Sequence, residues 1–145
     1  MIPLHRWLDT SDDRGSVAVE VAVVAPAFVF LMLLVVFAGR VSEADGDIHR
    51  ATSAAARAAS LRQHPTDATA DAEAVARTNL STAGVQCRDL TVEVDTDNFR
   101  PGGTVTVTLA CTASMADVTL LGVPGTRRFS ARSVEVIDRY RGDGP

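Results

Sequence analysis

RGSVAVEVAVVAPAFVFLMLLVVFAGR, residues 14–40, decides how this chain of 145 residues is read. Between its two arginines run 22 residues, 17–38, whose sole charge is Glu20. As an α-helix rising 1.5 Å per residue, that run extends about 33 Å, against a hydrocarbon core of about 30 Å. It is long enough to cross a membrane once. A secretory signal peptide competes with this reading, because VFA ends at Ala38 and Arg6 and Arg14 precede the apolar run. Against it stand a run longer than a signal h-region of about 7–15 residues and three leading acids, Asp9, Asp12 and Asp13.

Glu20 lies only three residues inside the apolar boundary, about 4.5 Å along the axis. One explanation is a side chain that snorkels to the interface at modest cost. The other starts from Gly15. A cut after Gly15 gives Ser16 a positively charged α-amine at a helix N-terminus, one turn from Glu20. Glu20 can then neutralise its own amine or that of a neighbouring subunit.

Composition excludes several functions. The net charge is −4 and all 14 basic residues are arginine without a polybasic cluster, so no nucleic-acid partner is expected. Cys87 and Cys111 lack metal-ligand or C-x-x-C spacing, so neither zinc nor a redox centre is expected. A single disulfide fits them better and implies an oxidising compartment. Arginines flank the apolar run on both sides and leave orientation undecided. A disulfide would place everything after residue 40 outside the cytoplasm. His5, His49 and His64 form no arrangement with a nucleophile and an orienting acid, and Asp45 and Asp47 read as a solvated helix face. No catalysis, cofactor, metal or small-molecule substrate is expected.

The opening stretch, followed by EADGDIHRATSAAARAAS, resembles the TadE family of small pseudopilins, or minor pilins, of the tight-adherence (Flp) type IV pilus system. The resemblance covers roughly residues 14–60. It implies a leader ending at Gly15 that a prepilin peptidase removes, with Ser16 as the new terminus and Glu20 as the fifth mature residue. Pro26 matches the proline usual in the family's membrane helix. The implied partners are other pilin subunits, the pilus assembly machinery and the membrane. The alternative is a membrane-anchored or secreted envelope domain unrelated to pili.

Independently of the family, Pro26 removes one helical hydrogen bond and clashes with the Ala22 carbonyl, which predicts a kink unless the membrane helix simply tolerates it. Beyond residue 40 the helix should continue, because Val41, Ala44, Ile48, Ala51, Ala55 and Ala58 recur at steps of three and four. Such a seam suits either a neighbouring helix or the chain's own head, with Thr52 expected on the exposed side.

LRQHPTD breaks this helix, and Thr66 is positioned to cap a second one over about residues 67–82, with Ala68, Ala72, Val75, Ala76 and Leu80 buried and Gly84 at its end. Period-two patterning in LTVEV and VTVTLAC then predicts an antiparallel hairpin. Placing Cys87 directly opposite Cys111 sets the apolar faces against each other. A bulge at Arg88 or Asp89 repairs the conflict, as does Cys87 preceding the strand. SMADVTLLGVPGT reads as a connection dipping into the core. A third strand, in RRFSARSVEVIDRY, has Phe129 and Ala131 on one parity and Val134 and Val136 on the other, which leaves its register open and allows another bulge.

The expected architecture is α+β: a leader (1–15), a transmembrane helix (16–40), its extension (41–64), a small head (65–140) with a second helix and about three antiparallel strands, and a disordered tail (141–145). The expected location is the cytoplasmic membrane, single-pass with the head outside, or the exterior as part of a pilus.

Overall fold

The structure, a computed structural model, describes the backbone of residues 12–114 and 126–140, with the side chains of residues 12–17 and of Ser114 excepted. The leader up to residue 11, the connection 115–125 and the tail 141–145 therefore lie outside the described residues, and so do the expectations placed on them. Two helices precede three strands: α1 Asp12–Ser60, α2 Pro65–Thr82, β1 Cys87–Asp95, β2 Thr104–Ser114 and β3 Thr126–Val136. This is the expected α+β order, with the strands in an antiparallel sheet ordered β1-β2-β3. By internal contacts the chain divides into a unit up to Gly39 and one from Arg40 onward.

In the second unit, α1 buries Ile48, Ala51, Thr52, Ala55, Ala56 and Ala59, while Val41 and Ala44 are half-buried against the same core. Buried positions separated by three, one, three, one and three residues make a broad stripe with the 3.6-residue period of a straight helix. The expectation that Thr52 is exposed fails for this reason. Its hydroxyl is satisfied within the helix, donating to the Ile48 carbonyl at 2.7 Å, so burial leaves no polar group unpaired.

The second helix starts earlier than the sequence suggests. Pro65 occupies its first turn, where a missing N–H costs nothing, and His64 precedes it in extended conformation without a side-chain cap. Thr66 is therefore inside the helix. Ala68, Ala72, Ala76 and Leu80 form its buried side. At its end Gly84, with φ +75°, donates to the Ser81 carbonyl at 3.1 Å, and Val85 donates to Leu80 at 2.9 Å. Two orphan carbonyls are thereby satisfied by one left-handed residue. Val85 turns back onto the core and leads into β1.

The ladder answers both register questions. Cys87 faces Ala113 and Asp89 faces Thr112, so a bulge sits between them at Arg88. Leu90, Val92 and Val94 then oppose Cys111, Leu109 and Val107 on one face. The bulge is where the sequence places it, but the two cysteines are not direct opposites. In β3 the second bulge is absent, since pairing with β2 runs unbroken from Thr104↔Val136 to Ser114↔Thr126. Phe129, Ala131 and the following Ile137 are buried, and Val134 and Val136 stay on the open face, 53% and 68% exposed. Keeping the ladder regular leaves these two valines wet and preserves the backbone pairing midway along β2 and β3.

Candidate functional site

The candidate site is the apolar part of α1 with its single carboxylate. Every described side chain from Ala18 to Arg40 is exposed, including Val19, Val23, Phe28, Phe30, Leu31 and Met32, each more than half exposed. Ordinary soluble surfaces do not carry an apolar cylinder of this length, because leaving each such side chain in water costs roughly 1.5–3 kcal/mol. The segment is long and apolar enough to cross a membrane, and none of its most apolar window is buried within the protein. It fits a single-pass membrane anchor.

Glu20 interrupts this surface as an exposed side chain. The helix is continuous from Asp12 through Pro26 to Ser60, so Gly15 and Ser16 lie on helical backbone, with Ser16 four residues before Glu20. Four residues make about one turn, or roughly 6 Å along the axis, and place the two positions on one face. Pro26 lies a further turn and a half along, in the same exposed apolar segment.

The remaining sequence-predicted residues divide into two groups. Ile48, Ala51 and Ala55 are buried in the core of their own head, while Val41, Ala44 and Ala58 are half-buried. The structure thus uses the centre of this seam within the chain itself. Cys87 and Cys111 form a disulfide, with Cα atoms 5.4 Å apart.

A polar cleft lies where residues 43–51 of α1 pass the end of α2, lined by Glu43, Asp47, Arg50, Asn79 and Thr82. Its most buried charge, Asp47, is already matched by Arg50 at 2.6 Å. Among the described residues no three His, Cys, Asp or Glu side chains converge as a metal site would require.

Residues 15–57 match the family model described as TadE-like protein. The matched segment runs from Gly15 past Glu20 and Pro26 and ends inside the buried alanine stripe of α1. The match covers 43 of the 145 residues, so it is this segment that is similar to TadE-like proteins. No curated protein and no solved structure gives a match to the chain.

The sequence reading missed the charges on the open face of the sheet. Asp89 and Glu93 on β1 and Arg128 and Arg132 on β3 are exposed. Their signal was available in the strands themselves, as acids two positions from Thr91 in β1 and arginines two positions from Ser130 in β3.

Proposed function

We propose that this chain is a TadE-like minor pilin or pseudopilin that takes part in assembling a Tad (Flp) pilus. A prepilin peptidase cleaves it after Gly15, and it then stays anchored by one membrane helix with its head outside the cytoplasm. The observation that carries this reading is the position of the family match, which begins at Gly15 and includes Ser16, Glu20 and Pro26. Apolar exposure along the same segment supports the anchor, and the disulfide supports an oxidising location for the head.

In this role the chain catalyses nothing and binds no cofactor. Its chemistry is a new α-amine at Ser16, created in an apolar medium where Glu20 offers a counter-charge. A carboxylate left unpaired in such a medium costs several kcal/mol, so pairing favours one axial stagger between neighbouring helices. Mass spectrometry of the protein from its native host tests the pathway. A mature terminus at Ser16 is expected. A terminus at Gly39 would make it a secreted domain, and one at Met1 a plain anchor.

A further inference from the structure

Among the described residues the sheet has two edges without a backbone partner, and they carry opposite charge. Among the described residues no backbone group outside the ladder pairs with the free side of β1 or β3. Strand β1 carries Asp89, Glu93 and Asp95 against the one bulged arginine, Arg88, whereas β3 carries Arg127, Arg128 and Arg132 against Glu135. Asp89, Glu93, Arg128 and Arg132 are all exposed and, among the described residues, make no ion pair.

Charges on an edge strand ordinarily prevent any pairing with another chain. Here their segregation by sign does something narrower. It opposes pairing of β1 with β1 and of β3 with β3, the contacts of a two-fold dimer, and leaves β1 with β3 electrostatically favourable. The register strengthens the point. Asp89, Thr112 and Arg128 form one cross-sheet row, and Glu93, Thr108 and Arg132 form another. Both strands run antiparallel to β2, so they are parallel to each other.

If the sheet is repeated sideways without slip, Arg128 of one copy meets Asp89 of the next, and Arg132 meets Glu93. On the inner face Phe129 and Ala131 then meet Leu90 and Val92, which a single copy leaves only half-buried on β1. One stagger satisfies the charged face and the apolar face together.

We propose that the β3 edge of this chain docks in parallel on the β1 edge of a second copy, continuing the sheet from subunit to subunit. The contact is heterologous, so it propagates in one direction from copy to copy. It does not depend on cleavage at Gly15, so it can fail or hold separately from the pilin pathway.

Cysteine cross-linking of the full chain in membranes tests it. Thr91 and Ser130 share a row through Ala110 and are both exposed. Neighbouring strands lie about 4.8 Å apart, within the Cα separation of about 4.4–6.8 Å that a disulfide spans. Differently tagged Thr91→Cys and Ser130→Cys chains, co-expressed and oxidised, should give a mixed dimer, while each variant alone gives none. Arg128→Glu with Arg132→Glu in the Ser130→Cys chain should abolish that dimer, and Asp89→Arg with Glu93→Arg in the Thr91→Cys chain should restore it. Equal dimers from either variant alone, a dimer insensitive to charge reversal, or cross-links only to a different pilin would overturn the proposal. Absence of any cross-link would likewise overturn it and leave the charges as edge protection.

Discussion

Cys87 and Cys111 are bonded although they are not partners across the ladder: Cys87 faces Ala113, and Cys111 faces Leu90. The extra residue at Arg88 makes this possible, because it turns Cys87 onto the face that Leu90 shares with the core. The bridge closes a loop across the β1–β2 hairpin with a sequence separation of 24, which chain entropy values at about 3.5 kcal/mol. For a small head that is a large part of total stability.

Thiol labelling of the unreduced, denatured protein should therefore give no signal. Deleting Arg88 removes the bulge but leaves Cys87 two residues from Leu90, on the core face of a regular strand opposite Ala113, so the deletion variant should also stay unlabelled while the rest of β1 keeps its register. Labelling of the parent chain would remove the argument for an oxidising location. A labelled deletion variant would mean that Arg88 does more for the bridge than correct the parity of Cys87.

Ala51 tests what the alanine stripe of α1 supports. It is 1% exposed within the head, so Ala51→Leu should overpack the chain's own core and cost about 1–3 kcal/mol. Ser53→Leu, on the exposed side of the same turn, should change stability by less than about 0.5 kcal/mol. Urea unfolding in detergent micelles measures both. Equal stability of the two variants, with a defect confined to subunit association, would assign the stripe to a neighbouring helix instead.

The stripe also shows how far the sequence could be read. Steps of three and four through Ala58 identify a helix with an apolar side, but a seam at 3.5 residues and a face at 3.6 differ by only about 20° per heptad. Over two turns that is too little to separate Ala58 from Ala59, or to reveal that Thr52 is inside. The hairpin, the Arg88 bulge and the Gly84 terminus were legible because each follows from one local conflict or one special residue. The register of β3 was not. Val134 and Val136 stand on one parity and Phe129 and Ala131 on the other, a tie that a pattern count does not break, and only the unbroken ladder shows that the two valines lie on the open face. Glu20 and Pro26 stand out in the sequence because an apolar run makes every exception to it visible, whereas Gly15 lies before the run and is singled out by the family resemblance.

Gly84 supplies a sharper stability test. Its φ of +75° is left-handed, and a Cβ there meets no neighbouring atom, so Gly84→Ala isolates backbone strain from steric clash. The expected cost is about 1–2 kcal/mol. Gly103→Ala should be worse, since its Cβ would collide with the Asn98 carbonyl in the turn joining β1 to β2. A urea midpoint for Gly84→Ala equal to that of the parent, at unchanged slope, would mean the helix end relaxes into a different cap.

Glu20 and Ser16 provide the decisive functional test, because processing and registration make separable demands on them. Gly15→Ala should leave the leader attached, so no amine forms at Ser16 and assembly with other pilins stops. Glu20→Ala should lack the counter-charge, so an amine released at Ser16 enters an apolar medium unpaired and no axial stagger is favoured over another. The mature terminus by mass spectrometry and co-purification of partner pilins are therefore measured on the same samples. The expected pattern is an uncleaved, unassembled Gly15→Ala chain and a Glu20→Ala chain whose assembly falls at least tenfold even in the fraction cleaved at Ser16. A Glu20→Ala chain that is cleaved, exported and assembled as well as the parent would reduce Glu20 to a carboxylate snorkelling at the membrane surface.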